Sequence, residues 1–229
     1  MQNTKEEELA LSYLNQGNLD KAEKIYRDLI KRNINTYQIY GNLAAILGIK
    51  GKKIEMIPLL EKALEINPNY IDGYNNLGIA LVEKGDLKNA IKSYKKALKL
   101  KPNFPEALNN LGNALRALGD IDDSIRTFEN AILIKPDYPD ALVNLGNTLL
   151  DKGDLEKSII SYKKALKLNP SYASAYFNLG NIYIKLKDLA KAKSYYELGL
   201  KINPNDTDIL NNLGNLFREN RDYNNAISI

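Results

Sequence analysis

The sequence predicts an all-α fold, an α-solenoid of antiparallel helix pairs, from three observations. A 34-residue unit repeats without insertion: IDGYNNLGIALVEKGDLKNAIKSYKKALKLKPNF from Ile71 to Phe104 is followed by PEALNNLGNALRALGDIDDSIRTFENAILIKPDY from Pro105 to Tyr138. A fixed period of this length marks a stacked-repeat architecture. Each unit holds two stretches of helical apolar spacing, separated by a break. Small residues recur at two fixed places, where helices must come close. The register gives units at 3–36, 37–70, 71–104, 105–138, 139–172 and 173–206, with a truncated seventh at 207–229. One continuous solenoid domain over 3–229 is expected, since a helix pair cannot bury its apolar stripe alone but a stack of pairs can.

Positions within a unit are counted from 1 at Ile71. Tyr74, Leu77, Gly78 and Leu81, at positions 4, 7, 8 and 11, fall on one face of a first helix. Gly85 and Asp86 interrupt it: glycine takes the left-handed conformation that ends a helix, and the aspartate caps the next one. Leu87, Ala90, Ile91, Tyr94, Ala97 and Leu98 form the stripe of a second helix, which Pro102 stops. Position 8 is Gly78, Gly112, Gly146, Gly180 and Gly214, or alanine at Ala10 and Ala44. A mid-helix glycine costs about 1 kcal/mol relative to alanine, so its recurrence implies tight contact. Position 20 is also small, as Ala22, Ala90, Ser124, Ser158, Ala192 and Ala226.

This grammar resembles the tetratricopeptide repeat, with Leu-Gly at 7–8, alanine at 20, Tyr26, Tyr94, Phe128, Tyr162 and Tyr196 at 24, Ala63, Ala97, Ala131 and Ala165 at 27, and Pro68, Pro102, Pro136, Pro170 and Pro204 at 32. The resemblance covers essentially the whole chain. It implies a right-handed solenoid whose first helices line a concave surface, and a protein-binding, non-catalytic role.

Composition narrows the function classes. The chain of 229 residues has a net charge of +4, spread over many lysines, and lacks cysteine and histidine. A mild excess with no recognised nucleic-acid motif argues against nucleic acid. No disulfide or thiol chemistry is available, and the commonest general base and metal ligand is missing. No cofactor is expected, nor is there a glycine-rich phosphate loop. The start, MQNTKEEELALSYL, is not a secretory signal, and no apolar run is long enough for a membrane span. A cytoplasmic protein is the expectation.

The units depart from the pattern in order. The first has Glu6 where an aromatic belongs and Ile34 for the proline, and its Lys5-Glu6-Glu7-Glu8 run suits a water-facing end cap. The second has Met56 at position 20 and Pro58 at position 22, which requires a late helix start or a kink near Ile57. Units three to five are the most regular. The sixth has Lys187 in the turn usually held by glycine and Gly199 for alanine, and the seventh has Arg221 in that turn. The cut at Ile229 reads as a fragment of a longer chain, or as an uncapped end covered by self-association.

A second stripe, at positions 2, 6, 9 and 13, lies about 180° from the core stripe at 100° per residue and is expected to be free of packing within the pair. Position 6 is Asn42, Asn76, Asn110, Asn144, Asn178 and Asn212; position 9 adds Asn113, Asn147, Asn181 and Asn215. A carboxamide both donates and accepts, so a row of them suits the main chain of an extended peptide of any sequence. The series is similar to that of the O-GlcNAc transferase superhelix, which uses such a ladder. Val143, Leu150, Phe177 and Ile184 either form an apolar pocket beside the ladder or pack between units. Asp72, Glu106, Asp140 and Asp208 at position 2 favour a ligand with some basic residues. The carboxylate clamp of heat-shock co-chaperones needs lysine and arginine on this face, whereas the matching positions are asparagine and acids, with Arg116 and Arg218 isolated. The expected function is a scaffold for an extended protein segment. The alternative is the recognition arm of an enzyme whose catalytic domain lies beyond residue 229.

Overall fold

The computed structural model describes residues 2–219. They form α1 (Gln2–Asn15) and α2 (Leu19–Lys31), α3 (Tyr37–Ile49) and α4 (Met56–Ile66), α5 (Ile71–Glu83) and α6 (Leu87–Leu100), α7 (Pro105–Leu118) and α8 (Ile121–Ile134), α9 (Pro139–Lys152) and α10 (Leu155–Leu168), α11 (Ala173–Lys185) and α12 (Leu189–Ile202), and α13 (Thr207–Glu219). Among the described residues there is no strand, and the fold is the expected all-α helix-pair solenoid. Arg221, Ala226 and the cut second helix of the seventh unit lie outside the described residues.

The chain divides into two compact bodies, Met1–Thr127 and Phe128–Ile229. In the first, α1 packs on α2, α3 on α4 and α5 on α6, and successive pairs meet through α2 with α3, α4 with α5 and α6 with α7. In the second, α9 packs on α10 and α11 on α12, while α10 meets α11 and α12 meets α13. Within the bodies, α3, α5 and α11 thus each share an apolar face between their own partner and the pair before, which is how a solenoid builds a core.

The small residues set the spacing within a pair. A methyl group on Gly78 would sit 2.4 Å from the Tyr94 ring, one on Gly146 2.7 Å from Tyr162, and one on Gly180 2.3 Å from Tyr196. These three tyrosine rings are almost wholly buried. Position 20 adds a polar clasp across the same gap: Ser124 Oγ donates to the Gly112 carbonyl and Ser158 Oγ to the Gly146 carbonyl, each at 2.8 Å.

The irregular units adapt locally. In the second, a 3-10 turn at Lys53–Glu55 delays α4 until Met56. Pro58 is then the third residue of the helix, where its missing N–H would have had no partner. Met56 is buried and takes the place of the small residue because position 12 opposite is Gly48, where a methyl group would lie 3.1 Å from the methionine sulfur. In the sixth unit Lys187 adopts φ 59°, the left-handed conformation that Gly85 takes at φ 82°. The turn closes alike in both: Asp188 N–H donates to the Tyr183 carbonyl at 2.9 Å, as Asp86 N–H does to Leu81 at 2.8 Å. The aspartate caps also match, Asp86 accepting from Asn89 N–H and Asp188 from Lys191 N–H.

Two stability outcomes follow. Gly146→Ala should destabilise the chain by about 1–3 kcal/mol in urea unfolding, because overpacking against a buried ring outweighs the helix-propensity gain of about 1 kcal/mol. Lys187→Gly should stabilise it by about 0.5–1 kcal/mol, the left-handed cost of a side chain less the added chain entropy of glycine.

Candidate functional site

The asparagines of the second stripe stand on the first helices and are half-buried at Asn42, Asn76, Asn110, Asn144, Asn147, Asn178, Asn181 and Asn212; Asn113 and Asn215 are exposed. The expectation that this face is free of packing within the pair does not hold. The position-24 tyrosine passes over the position-8 glycine, and its hydroxyl emerges beside position 9. Tyr162 Oη donates to Asn147 Oδ1 at 2.6 Å, and that oxygen also accepts from Asn178 Nδ2 of the next repeat at 2.9 Å. One repeat on, Tyr196 Oη donates to Asn181 Oδ1 at 2.6 Å and Asn212 Nδ2 donates to the same oxygen at 2.8 Å. The ladder of the second body is therefore tied into the contacts between repeats.

The first body shows what happens when position 9 is apolar. In the third repeat that position is Ile79, and Asn110 Nδ2 turns to Asn75 Oδ1 at 3.1 Å. In the first repeat it is Leu11, and Asn42 Nδ2 donates directly to Tyr26 Oη at 3.0 Å. Burial holds the Tyr26 and Tyr196 phenols above their ordinary range, and the amides of Asn42 and Asn212 offset part of that rise. Both hydroxyls are thus protonated at neutral pH.

Beside the amides of the second body lies a cleft of about 450 Å³, lined by Leu150, Asn181, Ile184, Lys185, Tyr196, Asn212, Asn215 and Leu216. It joins aliphatic side chains from position 12 of two repeats to carboxamides from the stripe, with one positive charge. Val143 and Phe177 are not part of it. Val143 is buried in the core of the second body, and Phe177 is half-buried with its ring 6.4 Å from that of Tyr196. A smaller cleft of about 210 Å³ in the first body repeats the arrangement with Val82, Tyr94, Asn110 and Asn113. The acids at position 2, Asp72, Glu106, Asp140 and Asp208, are exposed.

Two features escape a reading of the sequence by stripes. One is the tyrosine tie, whose signal was present as tyrosine at 24 paired with asparagine at 9 in the fifth and sixth units. The other is a cleft of about 700 Å³ on α4, α5 and α6, with Leu64, Leu77 and Leu81 in it and Lys92 and Lys96 beside them. Among the described residues no group of three or more acidic, histidine or cysteine side chains is placed to hold a metal ion. No described helix is long and apolar enough to cross a membrane.

Comparison with known proteins places this geometry. A family model described as TPR repeat matches residues 80–116, 112–153 and 146–187, and models described as tetratricopeptide repeat match 8–33, 37–70, 59–92, 173–206 and 195–228. No curated protein matches the sequence. Among solved structures, the chain is similar to MamA (26% identity over 69% of this chain and 92% of that one, TM-score 0.65). It is also similar to YrrB, described as a TPR protein with an unusual peptide-binding site (22% identity, 81% and 96% covered, TM-score 0.66). The pilF protein of Pseudomonas aeruginosa shares the fold at 17% identity, with 90% and 94% covered and a TM-score of 0.75. With its repeats matched by these models from end to end, the chain belongs to the tetratricopeptide repeat family.

Proposed function

We propose that this chain is a non-catalytic scaffold that binds an extended segment of a partner protein along the first helices of its repeats. The observation that carries this reading is the cleft of the second body, where Leu150 and Ile184 adjoin Asn181, Asn212 and Asn215. An aliphatic side chain of the ligand fits between the two apolar residues, while its main chain meets the carboxamides. Binding pockets combine apolar lining with a few placed polar groups in this way. Membership of the repeat family and the peptide-binding site named for YrrB support the same reading. The ladder asparagines are the contact set of each body by itself: Asn42, Asn76, Asn110 and Asn113 in the first, and Asn144, Asn147, Asn178, Asn181, Asn212 and Asn215 in the second. Leu150 and Ile184 supply side-chain selection. A recognition arm of a larger enzyme would use the same groove and differ only in what the chain is joined to.

The test begins with extended peptides selected from a phage-displayed random library on the whole chain. Binding of the best peptide should weaken at least tenfold in Asn181→Ala/Asn212→Ala, since each lost amide leaves a backbone group unpaired at about 1–3 kcal/mol. Unchanged affinity with intact helicity would exclude the groove. Because the main-chain contacts are neutral and Lys185 is the one charge lining the cleft among the described residues, the affinity should fall only modestly between 50 and 200 mM salt; a steep fall would point to charge-dominated contacts instead.

A further inference from the structure

A carboxamide that meets a peptide backbone can turn either end towards it, and each end reads a different group. In the second body this choice is made within the protein. Asn147 Oδ1 accepts both Tyr162 Oη and Asn178 Nδ2, and Asn181 Oδ1 accepts both Tyr196 Oη and Asn212 Nδ2. A phenol can also accept, as Tyr26 Oη does from Asn42 Nδ2, but here two donors, the hydroxyl and the amide of the next repeat, meet on one oxygen, so that oxygen is turned inward and the Nδ2 of the position-9 asparagine outward. The same oxygen takes the Nδ2 of the following position-6 asparagine, which leaves the Oδ1 of that residue outward as an acceptor.

We infer that Tyr162 and Tyr196 are positioning residues that give the groove a fixed polarity: Asn147 and Asn181 present donors for the carbonyl groups of an extended peptide, and Asn178 and Asn212 present acceptors for its N–H groups. This rests on the peptide-binding reading and sharpens it. The ligand class becomes an extended segment with an unsubstituted backbone N–H next to an aliphatic side chain, the latter seated at Leu150 and Ile184. A proline directly after that side chain would be refused, having no N–H to give.

The chain contains its own control. Tyr94 lies over Gly78 as Tyr196 lies over Gly180, but the residue at its position 9 is Ile79, and Asn110 is turned to Asn75. The tyrosine ring at position 24 therefore serves packing in every case, while its hydroxyl donates to a position-9 amide oxygen at Tyr162 and Tyr196 and instead accepts from Asn42 at Tyr26, where position 9 is Leu11. Tyr→Phe substitution separates the two, since it keeps the ring.

The experiment uses the full chain and two small probes, N-acetyl-leucine methylamide and its dimethylamide, which lacks the second N–H. Binding is followed by NMR at the asparagine side-chain NH2 groups and the Leu150 and Ile184 methyls. The wild type should show saturable shifts at Asn181 and Asn212 and prefer the monomethyl probe about fivefold or more. Tyr196→Phe should abolish that preference at this step, while Tyr94→Phe leaves it intact. A Tyr196→Phe variant that keeps both affinity and preference would overturn the positioning role while leaving the groove standing. Saturable wild-type binding without preference would overturn the fixed polarity alone. No saturable shift in the wild type at any ladder asparagine would overturn the groove itself.

Discussion

The ring of the position-24 tyrosine occupies the space where a position-8 side chain would otherwise be. In the third, fifth and sixth repeats the gap left by Gly78, Gly146 and Gly180 is filled by Tyr94, Tyr162 and Tyr196, at distances that admit no added methyl group. This contact fixes how near the two helices of a pair approach, and in the fifth repeat Ser158 at position 20 also bonds across the pair to the Gly146 carbonyl, as Ser124 does to Gly112 in the fourth. It also decides where the tyrosine hydroxyl arrives. The ring crosses the first helix at its glycine, so the oxygen comes out one residue further on, level with position 9. A packing requirement thereby delivers a hydrogen-bond donor to the face that carries the asparagines.

On the proposed reading, one stripe serves two purposes. An asparagine in mid-helix is a weak helix former, and its persistence at position 6 needs a compensating contact. The bonds from Asn178 to Asn147 and from Asn212 to Asn181 are such contacts, made between successive pairs. They leave part of each carboxamide facing outward. The structural role thus uses one end of the carboxamide, the proposed binding role would use the other, and a substitution there removes the structural bond as well.

Much of this was legible in the residues. The period, the glycines at position 8 and the breaks at positions 15 and 16 were enough for the fold, because each has a direct steric meaning. Pro58 correctly signalled a delayed helix, and Lys187 marked a turn that keeps the left-handed geometry without glycine. Face assignment by angle alone was less complete. It set the asparagine stripe opposite the core and so left it unengaged, whereas a long side chain such as Tyr162 reaches across a helix that presents only hydrogen at the crossing point. Angle also could not divide the apolar residues near the ladder. Val143 is buried in the core, whereas Leu150 packs against that core and also lines the cleft.

The account turns on whether the amides hold a main chain. The most direct measurement is a titration of one selected peptide against its depsipeptide analogue, in which backbone amides are replaced by esters and the side chains are kept. The account predicts a marked loss of affinity for the ester form, concentrated at the residues beside the aliphatic anchor. Equal affinity for the two would contradict it and return the asparagines to a purely structural role.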